Sequence, residues 1–229
     1  MTPLPDPDAL AGLRAAGLDD ELATRLAVYA RLVLDANRRL NLTGAKGGNA
    51  FAAHILDALT LRADVRSPLI DVGSGNGLPG IPLAIATKAQ VTLLEPIKKR
   101  AAFLQTALTA LSLKGEVVAA RAEDAARDTA LRENFGTATA RAVSSAPTVA
   151  ELTVPFLAIG GRALLQRGGL EQAERNAVAD AALVLGAELT EERAAEGDRR
   201  ILVLEKRAPT SPRFPRKNGV PAKRPLCVR

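Results

Sequence analysis

Cysteine is nearly absent from this chain, with Cys227 alone among 229 residues. An internal disulfide and a thiolate metal cluster are therefore both excluded. No metal site is expected, and the expected setting is reducing and cytoplasmic. Tyrosine also occurs once, at Tyr29, within a stretch of helical spacing. A Tyr-x-x-x-Lys dyad for hydride chemistry is missing. No uninterrupted apolar run is long enough to span a bilayer, so no membrane partner is expected. No basic stretch followed by an apolar one marks a signal peptide.

Acids are missing from the last part of the chain. From Lys206 onward there are eight basic residues and no acidic one, whereas the preceding residues hold 23 basic and 25 acidic ones. The whole positive excess of +6 thus sits in the tail. Such a segment attracts phosphates through Coulomb forces and counterion release. A solvated, disordered tail has the same composition, and composition alone leaves both readings open.

What the chain does hold is organised around Leu69-Ile70-Asp71-Val72-Gly73-Ser74-Gly75-Asn76-Gly77-Leu78-Pro79-Gly80. A short apolar run leads into clustered glycines, which let the backbone turn tightly and approach a ligand. A helix starting there points N–H groups at whatever sits above it. Asp71 stands two residues before the first glycine, and Glu95 ends the next apolar run. A carboxylate at that second position grips an adenosine ribose, because two adjacent hydroxyls donate to its two oxygens. A carboxylate at Asp71 repels a pyrophosphate and attracts a sulfonium and an ammonium. The pattern Asp-x-Gly-x-Gly-x-Gly therefore favours S-adenosylmethionine over a dinucleotide, with a tight turn that holds no ligand as the plain alternative.

Before this turn the chain reads as a helical extension, residues 1–64. Asp19 and Asp20 cap a helix with an apolar face at Leu22, Leu26, Tyr29 and Val33, and Asn49 caps a further helix on which His54 and Asp57 share a face. From Leu69, short apolar runs alternate with helical segments, the signature of βαβ units. Strands are expected at 69–72, 91–95, 115–120, 137–142 and 161–166. Pro96 is expected at the start of one helix, and another should run from Pro147 to Gly160-Gly161. A closing hairpin at 182–189 and 201–205 completes a seven-stranded, mostly parallel sheet with helices on both faces. This α/β core spans 65–206. The proline-rich tail, 207–229, is expected to be neither helix nor strand.

In a doubly wound sheet, ligands collect at the carboxyl ends of strands. Asp71, Gly73, Gly75, Gly77 and Leu78 follow the first strand and Glu95 ends the second. Ala122 and Glu123 follow the third, where an adenine edge is read. Arg141 ends the fourth, where a transferred methyl group would face its acceptor. Taken singly, Glu123 and Arg141 read as surface charges; together the four strand ends converge on one crevice. His54 reads first as a residue packing one helix on another, and second as a substrate contact. The chain lacks the Asn/Asp-Pro-Pro-aromatic segment used on exocyclic amines of nucleic acids, and Cys227 is poorly placed to act as a nucleophile on cytosine C5. An acceptor with a free lone pair remains, such as guanine N7, which needs positioning and no general base.

Six segments in order complete the picture. They are Asn41-Leu42-Thr43, His54-Ile55-Leu56-Asp57-Ala58-Leu59, the turn from Asp71 to Leu83, Glu95-Pro96-Ile97-Lys98-Lys99-Arg100, Ala122-Glu123, and Arg141-Ala142-Val143. Together they resemble the RsmG (GidB) family over about residues 20–229, and the run Pro212–Leu226 is similar to the ending of many members. The resemblance implies a Rossmann-like class I methyltransferase that uses S-adenosyl-L-methionine on N7 of one guanosine in the decoding-region loop of 16S ribosomal RNA. It further implies cofactor contacts at Gly73, Leu78, Ala122, Glu123 and Arg141. Leu78, Asn76 and Pro96 stand where phenylalanine, alanine and serine are usual, and Arg167 keeps the charge of a usual lysine. RNA contacts are expected from His54, Arg167, Arg213, Arg216, Lys217, Lys223 and Arg224, on free RNA or the small ribosomal subunit, by a monomer. Removing the tail is expected to impair RNA methylation while leaving cofactor affinity nearly unchanged.

Overall fold

The computed structural model describes residues 3–141, 144–195 and 197–226. Helix α1 (Pro7–Ala15) begins with proline, and its cap Asp6 accepts from the Ala9 amide. Helix α2 (Asp20–Leu40) is capped by Asp19, whose side chain accepts from the Leu22 amide, and it ends at Asn41 in the left-handed region. Helix α3 (Gly48–Leu59) starts earlier than expected, since Gly47 and not Asn49 holds the cap position. The reason is packing. A Cβ at Gly48 would overlap Asp6 Oδ1, so only glycine lets this helix start against α1. The buried faces of these helices form one cluster with residues of the sheet and of the two helices that follow.

Strand β1 (Leu69–Val72) opens the sheet and is followed by α4 (Gly80–Thr87), β2 (Val91–Leu94), α5 (Lys98–Ala110), β3 (Gly115–Val118), α6 (Ala122–Ala125) and β4 (Phe135–Arg141). Next come α7 (Ala146–Thr153), β5 (Leu157–Arg167), α8 (Gln172–Val184), β6 (Ala187–Ala194), β7 (Arg200–Lys206) and the one-turn α9 (Val220–Lys223). The sheet order is β3-β2-β1-β4-β5-β7-β6. Strands β1 to β5 are parallel, and β7 runs antiparallel to both of its neighbours. The apolar run of β1 is buried along its whole length, as a parallel strand covered on both faces must be. A second cluster on the other face joins α6, α7 and α8 to the sheet.

Four further expectations are corrected. The first hairpin strand, expected at 182–189, runs from Ala187 to Ala194, because α8 continues to Val184 and the chain turns at Gly186 with positive φ. Helix α7 ends at Thr153 and not at Gly160, because Pro155 lacks the N–H a continuing helix needs; the chain makes one 3-10 turn and enters β5 at Leu157. Pro96 lies outside α5. The Glu95 carboxylate accepts from the Ile97 amide at 2.8 Å, which holds this stretch extended until Lys98. The tail also folds. It makes the short helix α9 and lies on the core, where Arg132 donates to the Phe214, Thr210 and Ser211 carbonyls and Arg127 to that of Pro215. The predicted strand residue Ala142, its neighbour Val143 and Cys227 lie outside the described residues.

Candidate methyltransferase site

The turn after β1 stands on glycines with positive φ at Gly73 (74°), Gly75 (57°) and Gly77 (99°). At Gly77 glycine is needed twice over, because a Cβ would lie 2.5 Å from Ile81 Cδ1. Side chains from three elements hold the turn. Ser74 Oγ donates to the Asp71 carbonyl at 2.8 Å, the Gly75 amide donates to Glu95 Oε2 at 2.9 Å, and Tyr29 Oη donates to the Asn76 carbonyl at 3.0 Å. The amides at the start of α4 are already engaged: Gly80 N–H reaches Asp71 Oδ2 at 3.3 Å and Ile81 N–H reaches the Gly77 carbonyl at 2.7 Å. They do not point at open space as the sequence predicts.

Asp71 is 1% exposed and sits beneath the turn, where Thr139 Oγ1 donates to its Oδ1 at 2.9 Å. Burial pushes its pKa up to about 6, against the opposing pull of its hydrogen bonds and of Arg141. It is not among the residues that line either cavity described below. Glu95 is also buried, at 3% exposed, and each of its oxygens accepts one backbone amide. A carboxylate oxygen takes two donors, so each keeps capacity for a ligand hydroxyl. Leu78 is buried within the core cluster on the N-terminal helices.

Above the ends of β1, β2 and β3 lies a cavity of about 220 Å³ whose lining includes Gly73, Leu94, Ala122, Glu123, Ser144 and Thr148. Glu123, at the start of α6, is 7% exposed, and its Oε1 accepts from the Gly219 amide at 2.9 Å. The tail thus reaches this cavity.

Beyond Ser144 opens a larger cleft of about 550 Å³, lined by His54, Asp57, Arg141, Ser144, Gln166, Arg167, Gly168 and Arg199. Its centre is Asp57, 8% exposed and bridged by two cations. Arg199 Nη1 stands 2.8 Å from Asp57 Oδ1 and Arg141 Nη1 stands 3.5 Å from Oδ2. Gln166 Nε2 donates to the Asp57 carbonyl at 2.8 Å, while its buried Oε1 has no protein partner. Arg167 pairs with Glu174 at 3.0 Å and donates to the Ser144 carbonyl. His54 stands edge-on to Phe51, 6.3 Å between ring centres, and also lines the cleft. Burial first, then Arg141 and Arg199, lowers its pKa and keeps the imidazole neutral at neutral pH.

The tail cations divide. Lys217, Lys223 and Arg224 are exposed, and Arg213 stacks over the Phe214 ring at 4.8 Å. Arg216 is partly buried, forked on Glu151, which has no exposed surface. Lys206 is fully buried with Glu133 at 3.1 Å, and burial lowers its pKa. Composition cannot separate these from the exposed cations. Arg199 carries no signal in the sequence either, since it sits in a polar hairpin loop; Asp57 is visible only as the helical neighbour of His54.

The sheet order, the glycine turn and the acid after β2 define a Rossmann-like methyltransferase. Its fold is shared by the mitomycin 7-O-methyltransferase MmcR (TM-score 0.58, 12% identity, 86% of this chain and 66% of that one). MtNAS in complex with MTA and tNA shares it too (TM-score 0.54, 12% identity, 90% and 83%). Residues 23–203 match the family model GidB, rRNA small subunit methyltransferase G. The chain is 43% identical to the ribosomal RNA small subunit methyltransferase G of Rubrobacter xylanophilus over 85% of its own length and 80% of the relative's. With that of Leuconostoc mesenteroides it shares 35% over 96% and 98%. The chain belongs to this family and is an rRNA methyltransferase.

Proposed function

We propose that the chain transfers the methyl group of S-adenosyl-L-methionine to N7 of one guanosine in the decoding-region loop of 16S ribosomal RNA. The observation that carries the reading is the meeting of two cavities at Ser144, one over the glycine turn and one among arginines. The first suits an adenosyl group: Gly73 offers backbone without a Cβ, Ala122 and Glu123 border the space for an adenine edge, and Glu95, set between the lining residues Leu94 and Pro96, keeps acceptor capacity for ribose hydroxyls. When bound, the cofactor supplies an electrophilic methyl group on a sulfonium.

The protein's own part is positioning and charge. Guanine N7 already holds a lone pair, so no side chain has to remove a proton before attack. The base becomes cationic as the bond forms, and a cleft of unpaired arginines would oppose this. The Asp57 carboxylate between Arg141 and Arg199 offsets that repulsion and leaves their remaining N–H groups to donate to the base or to phosphate. Neutral His54 adds no further charge. Exposed Lys217, Lys223, Arg224 and Arg213 extend the positive surface along the RNA backbone.

The test is transfer of labelled methyl to small subunits and to 16S RNA that lack the modification. Incorporation into RNA that stops at about one methyl per molecule supports the reading. Incorporation into small molecules of a cell extract, with none into RNA, contradicts it.

A further inference from the structure

We propose that the C-terminal segment Asn218–Ala222 is a wall of the cofactor cavity, and that its seating sets the affinity for the adenosyl half of the ligand. The inference rests on the reading of this cavity as the adenosyl site. It reverses the expectation that tail and cofactor are independent.

Gly219 and Ala222 line the cavity opposite Gly73 and Ala122. The segment is fastened at both sides of the opening. Gly219 N–H donates to Glu123 Oε1 at 2.9 Å and Asn218 Nδ2 to Asp124 Oδ2 at 2.8 Å, which ties it to α6. Thr148 Oγ1, fully buried on α7, donates to the Pro221 carbonyl at 2.9 Å. One turn further along α7, the fully buried Glu151 holds Arg216 in a fork. The Arg216 backbone amide and guanidinium both donate to this carboxylate, so the tail is anchored on the same helix that carries the cavity-lining Thr148.

The consequence is chemical. Glu123 is the acid beside the adenine end of the cavity, and a tail amide occupies one of its oxygens. That bond fixes the carboxylate and leaves the other oxygen to accept from an exocyclic amine. Without the tail the cavity is open on this side to water, which competes for the same acceptor.

The experiment compares the full-length wild type with Ala222→Trp and with Glu95→Ala by calorimetry, using S-adenosylmethionine and 5′-methylthioadenosine as ligands. Ala222 is exposed, so a tryptophan there fills the cavity mouth without entering the core. The expected result is a loss of tenfold or more in affinity for both ligands by Ala222→Trp, with an unchanged melting temperature. In the wild type, the Gly219 amide should exchange with solvent more slowly once S-adenosylmethionine is bound. Wild-type affinity in Ala222→Trp together with unchanged Gly219 exchange overturns the proposal. Weak binding by Ala222→Trp with normal binding by Glu95→Ala supports the wall and overturns the ribose assignment. Normal binding by both variants overturns the wall and the adenosyl reading of this cavity alike.

Discussion

The hydroxyl of Tyr29 donates to the backbone carbonyl of Asn76 at 3.0 Å, so the crown of the glycine turn hangs from α2. Tyr29 has no exposed surface, and burial raises its pKa well above 10, which keeps the donor proton in place. The N-terminal helices therefore shape the turn and do more than cover the sheet.

Tyr29→Phe should keep the packing and lose the bond. The cost is expected to be about 1 kcal/mol of unfolding free energy by urea titration, since one neutral buried hydrogen bond is removed and the Asn76 carbonyl is left without that donor. Faster amide exchange at Gly75 and Asn76 should accompany it. Wild-type stability and exchange would show that the turn holds itself.

Asp71 makes stability depend on pH in an unusual direction for a carboxylate. Its native pKa is raised from 3.8 to about 6, so the folded chain holds the proton more tightly than the unfolded one. The stabilising contribution is complete below the unfolded value and is lost as pH rises through about 6, a change of about 3 kcal/mol at roughly 1.4 kcal/mol per unit. Asp71→Asn removes it. The unfolding free energy of the variant relative to wild type should rise by that amount between about pH 3 and 7.5. Parallel profiles would contradict the shift.

Much of this frame was legible in the sequence. The apolar runs, the cap residue Asp19 and the glycine turn each carry local rules, and the strands lie within a few residues of their expected places except β6, which starts five residues late because α8 runs on to Val184. What escaped depends on distant partners. Nothing near Arg216 announces that Glu151 will bury itself beneath it, and nothing near Arg199 announces Asp57. Net charge counts a cation whether it ends in solvent, like Lys223, or inside, like Lys206. The tail prolines suggest neither helix nor strand, which α9 corrects, and they say nothing of docking, which rests on carbonyls gripped by Arg132 and Arg127.

The two kinds of tail cation should therefore behave differently. Arg216→Ala strips Glu151 of its partner and should cost about 3 kcal/mol of stability, as breaking a buried pair does. Lys217→Ala with Lys223→Ala should leave stability unchanged and lower RNA affinity. The slope of log affinity against log salt should become shallower by about 0.7–0.9 for each phosphate that is no longer neutralised. An unchanged slope would remove these lysines from the RNA surface.

Asp57→Asn tests the arginine bridge. Arg141 and Arg199 then face each other without a counter-charge. The expected result is a fall of about tenfold or more in the rate of methyl transfer at saturating RNA, the loss of about 1–2 kcal/mol of charge stabilisation in the transition state. S-adenosylmethionine affinity should change little. A loss confined to the cofactor would place Asp57 on the wrong side of Ser144.

The most direct test of the account is the position of the methyl group. Small subunits lacking the modification are incubated with the enzyme and S-adenosylmethionine, and the 16S RNA is then cleaved by borohydride and aniline, which cut at N7-methylguanosine. The account predicts one new cut, at a single guanosine of the decoding-region loop. Labelled RNA with no such cut, or with cuts scattered over many guanosines, would contradict it.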